Sequence, residues 1–149
     1  MYLYNGKKID INRNFTGPDS TQYPHLKPPE WRNALGVVEA PDPTYPDPLT
    51  HSYIENPDGS LTVTERPLAD VKAEVIRRIN ADCSTRIYVK YSREVQQSAA
   101  LGIYPALVVD QMRSEIAAMI AASNGACDLV NATTTVITAA NSGTVTWPI

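Results

Sequence analysis

The sequence lacks the motifs that usually announce an enzyme or a ligand-binding protein. It has no glycine-rich phosphate loop, no paired cysteines at zinc spacing and no Ser-His-Asp arrangement. Its two histidines, His25 and His51, lie in different proline-rich neighbourhoods without a companion nucleophile. We expect both to be surface or turn residues. The sequence therefore predicts a protein that is not an enzyme and that needs no cofactor or metal ion.

The chain also has no large excess of positive or negative charge and no long apolar run. It has 13 basic and 16 acidic residues, and its net charge is −3. The scattered lysines and arginines argue against a nucleic-acid interface. No apolar run reaches the length of a transmembrane helix, so we expect no membrane insertion. Residues 1–8 are too few and too polar for a signal peptide, which predicts folding in a cytoplasm.

Cysteine is scarce, since only Cys83 and Cys127 are present. They fall at comparable distances on either side of a predicted chain reversal near Ile103. One alternative is a pair of reduced thiols packed in a helical core, which we favour. The other is a disulfide between two helices. A zinc site is not expected, because no histidine or third cysteine lies at a suitable spacing.

The clearest pattern in the chain is a heptad-like seam in its last third. Apolar or small residues recur there at alternating steps of three and four: Val109, Met112, Ile116, Met119, Ser123, Cys127, Val130, Thr134 and Ile137. The seam predicts a helix over residues 106–140, about 50 Å long at roughly 1.5 Å per residue. Many alanines flank it, which favours burial between other helices. A break near Gly125 is an open alternative, because Ser123-Asn124-Gly125 also resembles a helix end.

A second amphipathic helix is predicted to begin at Pro67, a favourable first helical residue. Its apolar positions follow the helical period: Leu68, Val71, Val75, Ile79, Cys83 and Ile87. Tyr88, Tyr91, Val95 and Leu101 extend the same side, although Ser84-Thr85 and Ser92 weaken the pattern. Residues 102–105 join this helix to the next.

The first third of the chain favours short strands. Asn5-Gly6 predicts a type I′ hairpin turn between Tyr2–Tyr4 and Lys8–Ile11. Residues 12–49 hold eight of the twelve prolines, which disfavours long regular elements. Within that segment, residues 31–39 predict a turn of helix that stops at Gly36 and runs into a short strand.

Two further strand elements are predicted. A second hairpin turns at Asn56-Pro57-Asp58-Gly59, with Tyr53, Leu61 and Val63 on its buried side. Near the C-terminus, Val145 and Trp147 alternate with threonines like a short strand that Pro148 terminates.

These elements together predict an α+β fold in three parts. Residues 1–66 form a hairpin-rich and proline-rich docking region, residues 67–141 form two long helices, and residues 142–149 form a terminal strand. Two arrangements of the helices remain open. They fold back on each other as a helical hairpin in a monomer, or they associate with other copies as an oligomeric bundle.

The order of these features resembles that of small bacteriophage tail proteins of the tail-fibre and tail-fibre-assembly type. The resemblance is carried by the opening hairpin, Trp31–Val38, the Asn56–Gly59 turn, Arg66–Lys72 at the start of a helix, and Ile79-Asn80-Ala81 within it. It covers most of the first 100 residues. The chain departs from many such proteins in having no Trp in the first long helix and in its long Ala- and Thr-rich second helix.

The resemblance implies a non-enzymatic part of the virion tail, such as a fibre, baseplate or adaptor subunit. Its implied partners are other tail proteins and further copies of itself, commonly as a homotrimer, and it would pass through the host cytoplasm during assembly. An alternative is an assembly chaperone for tail fibres that is absent from the mature particle. A small enzyme or ligand-binding domain is a third hypothesis.

Residues at protein interfaces are predicted from side-chain type and from the seam. Large aromatic residues dominate interface energetics, which points to Tyr2, Tyr4, Trp31 and Trp147. In an oligomeric bundle, the helix seam would contribute Val109, Met112, Ile116 and Met119.

Overall fold

A computed structural model describes residues 1–148 of the chain. The chain divides into two compact units, Met1–Thr64 and Glu65–Ile149. Within residues 1–148, the first unit contains seven short strands and one short helix, with the last strand extending one residue past the boundary, and the second contains four helices. The fold is therefore α+β, as the sequence predicts.

The first unit begins with the predicted hairpin. Strand β1 (Tyr2–Tyr4) pairs antiparallel with β2 (Lys7–Ile9). Asn5 and Gly6 have φ angles of 49° and 72°, as a type I′ turn requires. Strand β5 (Val38–Glu39) pairs with the other edge of β1, which gives a three-stranded sheet in the order β2-β1-β5.

The proline-rich segment contains one predicted and one unpredicted element. Helix α1 (Pro29–Leu35) ends at Gly36, whose φ of 70° is left-handed, and the chain then enters β5. This confirms the predicted helix, break and strand. The sequence did not predict the small antiparallel pair of β3 (Phe15–Thr16) and β4 (Gln22–Tyr23), because two-residue strands are too short to produce a detectable alternation.

The second hairpin is confirmed, but its predicted buried side is wrong. Strands β6 (His51–Glu55) and β7 (Leu61–Glu65) flank a turn in which Gly59 has a φ of 79°. Tyr53 is 43% exposed and Val63 is 46% exposed, while Leu61 is half-buried. The reason is that, within residues 1–148, these two strands form a sheet of their own without a third strand.

The second unit starts with the first long helix, α2 (Leu68–Lys90), which follows Pro67 rather than including it. Val71, Val75, Ile79 and Cys83 are buried, as their spacing predicts. The helix continues through Ser84-Thr85 and ends before Tyr91, whose backbone is extended. A separate helix, α3 (Arg93–Ala100), then begins after Ser92.

The second long helix is shorter than predicted and breaks at a different place. Helix α4 (Ala106–Ala132) passes through Gly125 without interruption, and α5 (Val136–Asn141) begins after a gap at residues 133–135. The continuous rod to residue 140 is therefore wrong, and so is a break near Gly125. The break occurs where Thr135 forms a capping box, because its side chain accepts a hydrogen bond from the Thr138 amide at 3.2 Å.

Helices α2 and α4 pack antiparallel within one chain. Along α2, Lys72 donates to the Asn131 carbonyl at 2.8 Å, Asn80 accepts from Ser123 at 3.3 Å, and Cys83 contacts the Met119 carbonyl at 3.7 Å. Partner numbers fall as numbers along α2 rise, which defines the antiparallel direction. Val136 and Ala139 of α5 are also buried, whereas Thr134 and Ile137 of the predicted seam are exposed. The helical hairpin is thus the arrangement adopted.

The two cysteines are free thiols, so the disulfide alternative is not formed. Cys83 lies level with Met119, whereas Cys127 lies one helical turn beyond Ser123, on the side away from Cys83. Their backbones are therefore offset by roughly 10 Å along the helix axes, at about 1.5 Å per residue. A disulfide requires Cα atoms within about 7 Å. Counting residues from the bend failed because α3 interrupts the path of the chain.

Oxidation of the folded protein is expected to produce no intrachain disulfide. Cys83 is buried, and loss of hydration raises the pKa of the half-buried Cys127 thiol, so little thiolate is present at neutral pH. Iodoacetamide should therefore label Cys127 slowly and Cys83 only after unfolding, as peptide mass spectrometry can measure. A peptide linking Cys83 to Cys127 after diamide treatment of the native protein would contradict this geometry.

The C-terminal tail does not form the predicted strand over residues 142–148, and Ile149 lies outside the described residues. Instead the tail runs along α2. A Cβ atom at Gly143 would lie 2.9 Å from Cγ1 of Val75, so glycine permits this close approach. Further along, the Arg86 guanidinium lies 4.9 Å from the centre of the Trp147 ring. The tail therefore packs against helix side chains rather than a strand edge.

Candidate docking site

The loop between α3 and α4 forms a tightly defined tip of the helical hairpin. The side chain of Ser92 accepts from the Val95 amide at 3.4 Å and so caps the start of α3. At its end, Gly102 has a φ of 73° and donates to the Ala99 carbonyl at 3.1 Å. Ile103 donates to the Ser98 carbonyl at the same distance. These two bonds are a Schellman motif, which ends α3 in one conformation.

The inner side of the tip is a small hydrophobic core. Ala99 of α3 and Val109 and Met112 of α4 are buried together, with Tyr91 and Val95 packed against them. Two of the seam residues therefore hold α3 onto α4. Because this cluster lies beneath the loop, the loop has a packed base.

The outer side of the tip is apolar and exposed to solvent. Leu101, Ile103 and Leu107 are between 67% and 80% exposed, and Val108 and Tyr104 are also exposed. We call these five residues the apolar tip. Scattered exposed apolar residues are ordinary on a protein surface, but here five of them fall within residues 101–108, and such clusters are typical of protein-binding sites.

A cavity of 250 Å³ opens beside the apolar tip. Its wall includes the tip residues Tyr104 and Val108 together with Tyr91, Val95 and Met112 from the core below. The lining is mainly hydrophobic. A cavity of this size is too small for most cofactors but accommodates one large side chain of a binding partner.

Glu115 binds the side chains of Lys90 and Tyr91, which line one edge of this cavity. Its carboxylate accepts hydrogen bonds from the Tyr91 hydroxyl, from the Lys90 ammonium at 2.8 Å and from the Gln111 amide at 3.1 Å. The bond from Lys90 and then that from Tyr91 hold the pKa of Glu115 at about 2. The same contacts raise the pKa of both Lys90 and Tyr91. The end of α2 is thus tied to α4 at the level where the chain bends.

The protein is expected to lose stability in acid partly through Glu115. Its pKa in the folded state is about 2, below the ordinary value of 4.5, so its contribution is complete above pH 4.5. That contribution disappears as the pH falls from 4.5 toward 2. Glu115→Gln should therefore flatten this part of a stability-against-pH curve measured by urea unfolding.

The exposed carboxylate of Asp110, also on α4, supplies a matched control for that measurement. It lies 3.8 Å from Arg113, at the limit of an ion pair, so Asp110→Asn should leave the curve close to that of the unaltered protein. Equal flattening by both substitutions would show that the Glu115 contacts are not responsible.

A larger cleft of 880 Å³ in the first unit is less suited to binding a ligand by charge. Four of the five charged groups along its wall already pair with one another. The Met1 amine lies 2.7 Å from Asp42, and the Lys8 ammonium pairs with Glu55. Bonding to the amine lowers the pKa of Asp42.

The aromatic residues predicted at interfaces contact other residues of their own unit. Arg32 lies 4.9 Å from the centre of the Tyr2 ring, and Tyr4 meets Phe15 edge-on at 4.9 Å. Trp31 is stacked on His25 at 5.6 Å. Tyr2, Tyr4 and Trp31 remain half-buried, as does Trp147.

The seam residues predicted at an oligomer interface lie in the core of one chain. Val109, Met112 and Met119 are buried, and Ile116 is half-buried against the tip core. Within one chain α2 and α3 already cover these side chains, so in this conformation they pack inward and their predicted contact with another copy stays a prediction. The exposed residues beside them, Leu107 and Val108, were missed. The sequence signal that could have identified them is a run of large apolar residues that lies outside the seam at the start of α4.

Within residues 1–148, no group of three or more His, Cys, Asp or Glu side chains is arranged to hold a metal ion. In the same residues, no helix is both long and apolar enough to cross a membrane. No protein-family model, curated protein or solved structure matches the chain.

Proposed function

We propose that this chain is a non-enzymatic structural component of a bacteriophage tail, a fibre, baseplate or adaptor subunit, that docks other tail proteins. The observation that supports docking is the apolar tip, an exposed hydrophobic surface on a well-defined turn. The phage-tail context rests on the sequence resemblance alone.

The construction of the tip suits binding by a preorganised surface. Its backbone is fixed by the Schellman motif, its base is packed against α4, and its rim is held by Glu115. A surface that is already ordered loses little conformational entropy when it binds. The cavity beside it accepts an anchoring side chain, which is the usual centre of a protein interface.

A second candidate is an assembly chaperone that binds fibre chains and then leaves. It is favoured by one observation: the seam between α2 and α4 is buried within a single chain. The helical unit therefore has a core of its own while it displays an apolar surface. That combination suits a protein that is soluble alone and binds partners transiently.

The deciding experiment is quantitative mass spectrometry of purified, intact phage particles and of the infected lysate. A structural component is expected in particles at a fixed ratio to the tail tube protein, and that ratio gives its copy number. Abundance in the lysate with absence from particles would support the chaperone. Absence from both, in an infection that yields normal particles, would contradict both proposals.

A further inference from the structure

The hairpin of β6 and β7 is poorly covered by the rest of the first unit. Residues 52–55 and 62–65 are all exposed, including Ile54 at 71%. Over residues 1–148 it is an isolated two-stranded sheet. Such a sheet is marginal in water unless a third strand or another surface packs on it. The hairpin therefore lacks a strand that would complete it.

The outer edge of β7 is accessible, because residues 62–65 are all exposed. The contacts from the rest of the unit reach β6 and the turn: the Tyr45 ring meets Tyr53 at 5.2 Å, and Lys8 pairs with Glu55 and donates its amide to the Pro57 carbonyl at 2.6 Å. In β7, the Thr62 hydroxyl instead contacts Asn56 of the same hairpin at 3.0 Å.

In β7, every second residue directs its backbone N–H and C=O groups toward the outer edge of the strand. The Ser60 carbonyl accepts from the Asn56 amide at 2.8 Å, and the Thr64 carbonyl accepts from the Ser52 hydroxyl at 3.4 Å, so both point toward β6. Successive residues of a strand direct their backbone groups to opposite edges. Leu61, Val63 and Glu65 therefore present their N–H and C=O groups outward.

The β7 edge lacks the lysine, the proline and the short length that often prevent strand addition. Strand β2 carries Lys7 and Lys8, and β3, β4 and β5 are only two residues long. By contrast β7 has five residues, Leu-Thr-Val-Thr-Glu, with neither proline nor lysine. A strand of this kind is a template for another strand.

We infer that β7 pairs antiparallel with β7 of a second copy of this chain, about a two-fold axis at Val63. The sequence Thr62-Val63-Thr64 is the same in both directions, so Val63 lies opposite Val63 and Thr62 opposite Thr64. Facing β-branched residues and facing threonines both stabilise antiparallel pairs. Leu61 lies opposite Glu65, so no like charges meet. Two hairpins become one four-stranded sheet with an isologous interface.

This inference goes beyond the proposed function and does not depend on a phage context. Sedimentation equilibrium of the full-length chain is expected to show a monomer–dimer equilibrium. Val63→Pro removes the outward N–H from both copies and should weaken dimerisation by about twenty-fivefold, at about fivefold for each of the two equivalent bonds. Val63→Lys should also weaken it, because two lysines would face each other. Val63→Thr keeps a β-branched, uncharged residue and should remain dimeric.

The register is tested separately by NMR on a mixture of isotope-labelled and unlabelled full-length chain. Opposite residues of a non-hydrogen-bonded pair bring their Cα atoms within about 4.5 Å. An interchain contact between the α protons of Thr62 and of Thr64 in the second copy is therefore expected. A wild-type protein that stays monomeric up to its solubility limit would overturn the inference. So would a dimer or trimer that Val63→Pro, with unchanged circular dichroism, leaves intact.

Discussion

Replacing Val130 with aspartate is expected to unfold the helical unit. The Val130 side chain is completely buried, at 0% exposure, on the face of α4 that packs within the hairpin. A carboxylate at this position would lose its hydration without gaining a partner, so we expect a cost on the order of 4 kcal/mol or more. Domains of this size are stable by only about 5–15 kcal/mol, so most of that margin would be lost.

Leu129 provides the matched control for this substitution. It precedes Val130 on the same helix and is 65% exposed. Leu129→Asp should change the free energy of unfolding by no more than about 0.5 kcal/mol. Urea unfolding followed by circular dichroism at 222 nm measures both variants. Similar losses for Leu129→Asp and Val130→Asp would show that the described burial of this face is incorrect.

The double substitution Ile103→Glu with Leu107→Glu is expected to abolish docking while the chain stays folded. Both side chains are largely exposed, so their replacement removes little packing from the monomer. In a bound state each carboxylate would be desolvated against an apolar partner, which should weaken binding by about a hundredfold or more. Under the structural proposal, the copy number of the chain per phage particle should fall correspondingly.

The control for the tip substitution is Leu129→Glu, which adds a carboxylate at an exposed apolar position outside the tip. It should leave the copy number unchanged. Both variants should melt within a few degrees of the unaltered protein. Normal incorporation of the double variant into phage particles would show that the apolar tip is not the docking surface. The pairing of β7 with a second copy concerns the first unit and is measured by sedimentation, so its failure would be distinguishable from a failure of docking by the tip.

The features that could be predicted from sequence are those set by local chemistry. Asn5-Gly6 specifies the first hairpin because few other dipeptides accept two positive φ angles. Gly36 ends α1 for the same conformational reason. The apolar spacing along α2 identified Val71 and Val75 as core residues, since helical periodicity places them on one face. Each of these depends on residues within a few positions of one another.

The candidate site was harder to predict because exposure is not a local property. Val109 and Leu107 lie two residues apart and are both apolar, yet one is buried under α3 and the other is exposed. The sequence pattern placed Val109 on the seam, but it could not show that α3 would cover the seam in the same chain. The sequence pattern therefore placed residues that are buried within this chain at a predicted interface, and it overlooked the exposed residues beside them.

By itself, the sequence determined the α+β composition, the positions of both hairpin turns and the inward faces of the long helices, because turn conformation and helical period are local. Only the tertiary structure decided which faces stay uncovered. Thr135 starts a new helix and brings Val136 and Ala139 into the core, and Gly143 lets the tail lie along α2. Within residues 1–148, both β7 and the apolar tip are exposed, because coverage depends on distant segments whose approach no local pattern encodes.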